Sequence, residues 1–255
     1  MRDEWPEPAV DFVQAIADTK LVLSHRYAQW SLAGPSLEDD IGGASAAQEE
    51  IGHARQLFRL LEQQGRDGDW LRGDREPEEF ANAASLDHVG DDWVSFIGSV
   101  GPADRAAWYL LDAIDHEDFG GLVTKMGEDE YFHLEYHDAR LETLAAEQTE
   151  AIQSVLETAI PAALALIGPG SRSEDADPVY ASGFTTRSVA ELRDAFAEHY
   201  RDLVADTPIS GDDFDWEAPS VDGWDDTRRR ADPGGLDQAD LEMLRGSASQ
   251  EFVVE

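Results

Sequence analysis

The sequence predicts an all-α protein built around a four-helix bundle. Apolar residues recur at three- and four-residue intervals through several long segments, which is the spacing of one face of an α-helix. No run of alternating apolar and polar residues predicts a strand. The motif Glu-x-x-His also occurs twice, at residues 50–53 and 130–133, in two different predicted helices. Long amphipathic helices joined by loops are typical of bundles.

The first two helices are separated by a clear break. The first is predicted over residues 7–31, and the sequence AGPS at 33–36 ends it. Ser36 is a suitable N-cap for the second helix, because Asp39 follows in the capping-box position. We expect this second helix to run to about Gln64, where GRDGD ends it.

The next long helices follow a looser segment. Residues 65–90 are expected to be irregular, with one short helical piece in PEEFANAAS. A third long helix is predicted within 91–114, where two glycines and Pro102 could kink or restart it. A fourth helix is predicted over about 118–146.

Shorter helices are predicted after the bundle. The patterns place them at 148–166, at 189–204 and near 236–245. Ser188 and Glu191 form a predicted capping box at the start of the second of these.

The chain is predicted to divide after residue 205. Residues 1–205 would form the bundle with its C-terminal helices, and residues 206–255 an irregular acidic extension rich in Asp, Gly and Pro. Trp216 and Trp224 lie in that extension. Aromatic residues in an irregular segment favour a docking surface, so we expect the extension to contact a partner.

The charge balance is strongly acidic. Asp and Glu number 55 against 19 Lys and Arg, a net charge of -36. Only two cations are lysines, Lys20 and Lys125. An acidic, lysine-poor surface keeps a protein hydrated and dispersed in molar salt, so the composition predicts a halophilic protein. Such a surface is a poor partner for nucleic acid or an anionic membrane.

The chain contains no cysteine. This excludes disulfides, thiolate metal sites, iron–sulfur clusters and cysteine nucleophiles, so any metal must be bound by His, Asp and Glu. The opening MRDEWPEPAV lacks the features of a signal peptide. The longest apolar stretch, IPAALALIG at 160–168, is too short to cross a bilayer. We therefore expect a cytoplasmic protein.

The two Glu-x-x-His motifs are the candidate metal ligands. Side chains at i and i+3 share a helix face, so Glu50 can act with His53 and Glu130 with His133. One such pair alone could equally be two solvated polar residues on an ordinary helix surface. Two pairs on the second and fourth long helices are typical of the ferritin-like carboxylate bundle for two metals, in which each remaining helix adds one carboxylate. We predict that the four residues converge on the interior.

The first helix lacks its carboxylate. Level residues in an antiparallel hairpin are equidistant from the turn, and counting back from Glu50 across 33–36 reaches Lys20. For the third helix, a turn at 115–118 places Asp104 level with Glu130, whereas a turn at Gly120-Gly121 places Asp112 there. We favour Asp104.

The predicted site is therefore vestigial or binds a single metal. Glu50, Asp104 and Glu130 carry three negative charges, and Lys20 reduces the sum to minus two. That charge balances one iron or other divalent ion, or none if the lysine is the counter-ion. We expect the Lys20 ammonium within about 4 Å of Glu50 or Glu130.

Several segments resemble the phenylacetic acid catabolic family. They are LVLSHRYAQWSLAGPSLEDDI (21–41), EEIGHAR (49–55), FANAASLDHVGDDW (80–93) and YFHLEYH (131–137). Within the family, the resemblance is greatest to the C subunit of ring-1,2-phenylacetyl-CoA epoxidase. It covers about residues 15–165 and continues weakly to about 205. His25-Arg26 with Trp30, and Asp92-Trp93, are its more specific marks.

The resemblance implies a place in a multicomponent epoxidase. In that family the A subunit carries the catalytic di-iron centre and binds the CoA thioester, and a reductase supplies electrons. The C subunit has the same ferritin-like fold, pairs with A and is regarded as structural. Many C-type sequences carry Glu where this chain has Lys20, and the resemblance also places Asp104 at the third-helix position.

We therefore predict a structural, non-catalytic subunit in aerobic phenylacetate degradation, and we assign no catalytic residue. Its expected partner is a catalytic di-iron homologue, a second copy of itself, or both. One alternative is a di-iron monooxygenase in which Glu49 or His137 replaces the missing ligand. Another is a ferritin-like metal-binding protein. Otherwise we expect His137 and His116 to lie at the surface, and Trp30 and Trp93 to serve packing or an interface.

Overall fold

The computed structural model describes residues 4–245. This part of the chain is helical over 68% of its residues and contains no strand, which confirms the predicted all-α fold. Two isolated β-bridges, Ile114–Thr185 and Asp225–Arg230, are the sheet-type pairings found within it.

Four long helices form the bundle, and shorter ones follow them. Helix α1 packs against α2 and α4, and α4 packs against α5 and α6. The helices are α1 (Glu7–Trp30), α2 (Leu37–Gln63), α3 (Gly68–Leu71), α4 (Trp93–Asp112), α5 (Gly120–Glu147), α6 (Thr149–Ile167), α7 (Pro178–Ala181), α8 (Val189–Ala205) and α9 (Gln238–Leu244).

Capping residues set two of the helix starts. The Ser36 Oγ accepts a hydrogen bond of 3.2 Å from the Asp39 backbone N–H at the start of α2. At the start of α8, Ser188 and Glu191 form the reciprocal capping box that the sequence predicts. These side chains satisfy backbone donors that have no partner within the helix.

Helix α4 is continuous through its glycines and Pro102, so the chain does not restart a helix there. The glycines instead allow close packing. A Cβ at Gly98 would lie 2.6 Å from Val155 of α6, and one at Gly101 would lie 3.3 Å from the Cβ of His137 in α5. Small residues at these positions therefore bring α5 and α6 onto α4.

The segment between α2 and α4 is fixed to α1 by a buried ion pair. Asp18 and Arg75 are both fully buried, and the Arg75 Nη1 donates a bond of 2.8 Å to Asp18. The Ala81 backbone N–H donates to the same carboxylate at 2.9 Å. Arg75 also lies over the Phe80 ring. The short helix predicted in this segment is instead two 3₁₀ turns, Pro77–Glu79 and Ala84–Leu86.

Helix α6 is the one helix within residues 4–245 that is long and apolar enough to cross a membrane, with a mean hydropathy of 1.4. The apolar stretch at 160–168 thus lies at the C-terminal end of the helix that the sequence predicts at 148–166. Half of it is buried inside the protein, where Ile152, Leu156 and Ile160 are fully covered and the helix packs on α4. A helix in the core of a protein meets the same criterion of length and hydropathy.

Residues 206–245 contain one short α-helix, α9, and are bound to the bundle. Arg228 donates to the Phe80 carbonyl at 3.0 Å, Arg229 donates to the carbonyls of Leu166 and Ile167 at the end of α6, and Arg230 pairs with Asp87. Arg26 of α1 pairs with Asp240 of α9 at 2.7 Å. We name Arg228, Arg229 and Arg230 the arginine triplet.

The tryptophans of this segment are engaged within the chain. Trp224 is buried, and its indole N–H donates to the Ala165 carbonyl at 2.9 Å. Trp216 is half-buried and donates to the Gly211 carbonyl at 2.9 Å. The docking role predicted for Trp224 is wrong, because its ring is buried and its N–H is already bonded, whereas the docking role of Trp216 stays a prediction. Residues 246–255 of the extension lie outside the described residues, and a domain boundary at 205 stays a prediction.

Candidate metal centre

Three helices bring a buried group of acidic and imidazole side chains together. Glu50 of α2, Asp104 of α4 and Glu130 of α5 are each 0% exposed, and His133 is buried beside them. Each offers one ligand atom, and these atoms all lie within 4.8 Å of one another. Such a group could bind a metal ion. Asp112, the alternative third-helix carboxylate, is exposed at the end of α4.

The fourth helix, α1, contributes Lys20 to the same place. Its ammonium donates to Glu50 at 3.1 Å, to Asp104 at 2.6 Å and to Glu130 at 2.5 Å. These three bonds use every donor of the ammonium. The side chain is fully buried. Lys20 therefore lies where the register count across residues 33–36 places it. We name Lys20, Glu50, Asp104 and Glu130 the central cluster.

The imidazoles connect the central cluster to an outer ring of carboxylates. The two ring nitrogens of His133 lie 3.1 Å from Glu50 and 2.8 Å from Glu49. Only a protonated imidazole can donate to two carboxylates at once. His53 lies likewise between Glu130, 3.2 Å from its Nδ1, and Asp129, 3.2 Å from its Nε2.

Both imidazoles are cationic at neutral pH. Burial lowers their pKa values, but the carboxylate partners outweigh it. The carboxylates of Glu130 and Glu50, 3.2 Å and 3.8 Å from its Nδ1, raise the pKa of His53 to about 9. The bond to Glu50, together with the nearby carboxylate charges, raises the pKa of His133 to about 10.

The carboxylates differ in their pKa values. Burial is the largest effect and opposes ionisation of all three, but the Lys20 ammonium and the neighbouring imidazoles together outweigh it at two of them. They hold the pKa of Glu50 at about 2 and that of Asp104 well below its usual range. Burial and the charges of its two acidic neighbours raise the pKa of Glu130 to about 7, although Lys20 opposes this.

The charge of the site is therefore close to balanced without any metal. Three cations, Lys20, His53 and His133, face the three carboxylates of the central cluster. The sum of minus two predicted from the sequence left the imidazoles neutral. Their protonation removes that remaining negative charge.

His137 belongs to the site as well, so its predicted surface position is wrong. It is 3% exposed, its Nε2 contacts the Tyr27 hydroxyl, and it lies 3.6 Å from Asp104. The Tyr27 hydroxyl in turn donates to Asp104 at 3.2 Å. Burial raises the pKa of Tyr27 well above its usual value. The spacing contained this signal, because a residue four positions after His133 shares its helix face.

The other aromatic candidates serve packing. Trp30 and Trp93 contact each other at 5.4 Å between ring centroids, and both contact Phe96. His116 is half-buried, with its ring centroid 5.8 Å from that of Trp5.

A cavity of about 330 Å³ lies between α2 and α5 beside the central cluster. His133 and Tyr27 line it, and Glu49 also lines it with a side chain that is 35% exposed. The full lining is Tyr27, Gly42, Ser45, Ala46, Glu49, Phe132, His133 and Tyr136.

The donor set does not fit two divalent ions. Each carboxylate of the central cluster gives an oxygen to the Lys20 ammonium, and α1 supplies no replacement carboxylate at that level. The second oxygens of Glu50 and Glu130 have no hydrogen-bond partner within residues 4–245. Those two oxygens and an imidazole are a donor set for one ion at most.

The free energy of unfolding is expected to fall as the pH rises from about 7 to above 10. The pKa values of His53 and His133 are raised on folding, to about 9 and about 10. Their contribution is therefore complete below the unfolded value of about 6.5 and is lost as the pH rises through the folded values. Denaturant unfolding across this range measures it. His133→Gln should flatten the upper part of the profile, and a wild-type profile without slope would contradict the assignment.

The comparisons with known proteins identify the family of the chain. The family model of the phenylacetic acid catabolic protein matches residues 1–218. No curated protein matches the chain. The family provides components of a multicomponent di-iron ring epoxidase of phenylacetate catabolism, and the helical ferritin-like fold is its fold. Since the match covers most of the sequence, the chain belongs to the phenylacetic acid catabolic protein family.

Proposed function

We propose that this chain is a structural, non-catalytic subunit of a phenylacetyl-CoA ring epoxidase and that it pairs with a catalytic di-iron homologue. The observation that carries the proposal is the position of Lys20. Its ammonium is fully buried and bonded to all three carboxylates, at the level where a ferritin-like site would have a fourth carboxylate and two ions. Oxygen activation at such a centre draws electrons from both metals.

An ion-pair core can replace the metals as a support for the fold. Three buried carboxylates without counter-charge would destabilise the bundle strongly. Lys20, His53 and His133 supply that charge from α1, α2 and α5, and so connect the helices that a metal centre would connect. The fold then needs no cofactor for its stability. A non-catalytic partner subunit can therefore fold without bound metal.

The contacts of the alternative ligands favour the structural role over catalysis. A di-iron enzyme would need Glu49 or His137 as the replacement ligand. Glu49 instead accepts from His133 on the outer side of the site and from Ser45 at 3.0 Å. His137 lies against Tyr27. A storage protein would likewise need the central position that the ammonium occupies.

The surface is consistent with a subunit of an assembly in a salt-rich cytoplasm. Tyr131 and Phe132 of α5 are 60% and 69% exposed, and their rings contact each other. Exposed aromatic pairs of this kind favour a protein partner. Lys20 is fully buried, so Lys125 is the exposed lysine of residues 4–245 in a chain of net charge -36. Unfolding at decreasing KCl concentration tests the halophilic part of the proposal.

Metal analysis of the purified chain tests the proposed function. Protein from cells grown in iron-rich medium is expected to contain at most one metal per chain and to show no oxygenase activity alone. A catalytic A-type homologue, purified in parallel, controls for the iron supply. The chain should also co-purify with that homologue. Two irons per chain would overturn the structural role and favour catalysis.

A further inference from the structure

The outer face of α2 carries a continuous stripe of residues at three- and four-residue intervals. Such spacing places side chains along one side of a helix. The stripe extends through nearly the whole helix, about 33 Å at 1.5 Å per residue. Its members, which we name the outer α2 stripe, are Leu37, Ile41, Ala44, Gln48, Gly52, Arg55 and Arg59.

One end of this stripe is apolar. Leu37 is 68% exposed and Ile41 is 63% exposed, one helical turn apart. Glu38, which lies between them in the sequence, is also exposed. Branched aliphatic side chains at this exposure are uncommon on so acidic a surface, and together they favour contact with another protein.

The other end carries two arginines without a carboxylate partner. Arg55 and Arg59 are exposed and one turn apart, and neither forms an ion pair within residues 4–245. Among the described residues, Arg59 donates only to Gln56, at 3.2 Å. Carboxylates outnumber Lys and Arg by 55 to 19 in this chain, so two adjacent unpaired arginines indicate an acidic surface outside the chain.

The apolar end and the arginine end of the stripe lie at equal distances from its midpoint. Gln48 lies equally far from Ile41 and Arg55, and equally far from Leu37 and Arg59. We propose that the outer α2 stripe binds the same stripe of a second copy of this chain, antiparallel, with the two-fold axis at Gln48. A two-fold interface requires such self-complementarity.

The pairing satisfies both ends at once. The aliphatic stems of Arg55 and Arg59 would cover Ile41 and Leu37 of the second copy, while their guanidinium groups reach its Glu38. Near the axis Ala44 faces Gly52, and a Cβ at Gly52 would meet no atom within 4 Å in the single chain. Small residues there let the helices approach to the usual 8–10 Å or so.

The large negative charge of each copy does not prevent this contact in salt. Repulsion between two chains of net charge -36 acts over long distances, and the screening length is only about 3 Å at 1 M salt. Paired groups in contact are screened less. The proposal does not depend on the proposed function, since it is argued from the residues of the outer α2 stripe alone.

Charge reversal on the full chain, in molar KCl, tests the pairing. Sedimentation should give the mass of two chains for wild type. Arg55→Glu/Arg59→Glu and Glu38→Arg/Ile41→Arg should each sediment as one chain, because each homodimer would then juxtapose like charges. An equimolar mixture of the two variants should regain the mass of two chains, because their stripes are complementary. Circular dichroism confirms that each variant is folded.

A cysteine test fixes the orientation. Gln48→Cys, in a chain that has no other cysteine, should oxidise to a covalent dimer, since only residues near the axis come within disulfide distance of themselves. Thr143→Cys, exposed on α5, should stay monomeric under the same oxidation. A monomeric wild type, a dimer that resists the charge reversal, or a Gln48→Cys chain that forms no cross-link would each overturn the proposal. The proposal would also be overturned if Arg55→Glu/Arg59→Glu abolished binding of the homologue but left the dimer of this chain intact.

Discussion

Lys20→Glu, kept free of metal with a chelator, is expected to be less stable than wild type by at least about 3–5 kcal/mol, the usual cost of breaking a buried ion pair. The substitution removes the ammonium that bonds Glu50, Asp104 and Glu130 and adds a fourth carboxylate in its place. Repulsion among buried carboxylates raises their pKa values, so stability should partly return as the pH is lowered.

Divalent metal should reverse this loss. With four carboxylates and two imidazoles the variant would have the donor set of a two-ion site, and ferrous iron or manganese is expected to bind two per chain. Binding to the folded state alone stabilises by about 4 kcal/mol at a thousandfold excess over Kd. Unfolding with chelator and with metal, together with metal analysis, measures both effects.

Lys20→Met is the matched control for this experiment. It also removes the ammonium, so it should be destabilised without metal, but it adds no carboxylate and should not bind a second ion. A Lys20→Glu chain that is as stable as wild type in chelator would show that Lys20 does not neutralise the central cluster. A variant that binds no additional metal would show that the site has lost more than one ligand.

Arg75→Met is expected to destabilise the protein by about 3–5 kcal/mol, because it leaves the buried Asp18 carboxylate without its cation. Asp18 and Arg75 are both 0% exposed, and the remaining donor to Asp18 is the Ala81 N–H. The pair connects α1 to the segment between α2 and α4, so that segment should also lose protection from hydrogen exchange first. Denaturant unfolding gives the free energy, and exchange gives the location.

Arg72→Met provides the comparison from the same segment. Arg72 pairs with Glu62 and Asp69, but its side chain is 55% exposed. Exposed pairs contribute little to stability, so this variant should unfold close to wild type. Equal losses in the two variants would mean that the segment depends on its general charge and not on the buried pair.

Local patterns were sufficient to predict the helices and much of the candidate site. Helical periodicity and capping residues gave α1 and α2 to within a residue, because those signals lie next to the elements they define. Counting from the turns brought Lys20 and Asp104 to the level of the Glu-x-x-His motifs, since an antiparallel hairpin fixes register. Whether a metal binds there stays a prediction.

The remainder depended on contacts between distant parts of the chain. Asp18 and Arg75 are 57 residues apart, and no spacing rule relates them. Trp224 reads as a surface residue because its neighbours are polar, although it is buried against Ala165, 59 residues away. The protonation of His53 and His133 follows from which carboxylates surround them, and a sequence does not contain those distances.

The arginine triplet also sets an order of events during synthesis. Arg229 follows the carbonyls of Leu166 and Ile167 by just over sixty residues, and Arg228 follows Phe80 by 148. At translation rates of about 5–20 residues per second, the end of α6 leaves the ribosome seconds before its arginine partner. A nascent chain that stops before the triplet therefore leaves the carbonyls of Leu166 and Ile167 without their arginine donor, although α6 can already pack on α4. The end of α6 can therefore reach its final hydrogen-bonded state only after the triplet has been synthesised.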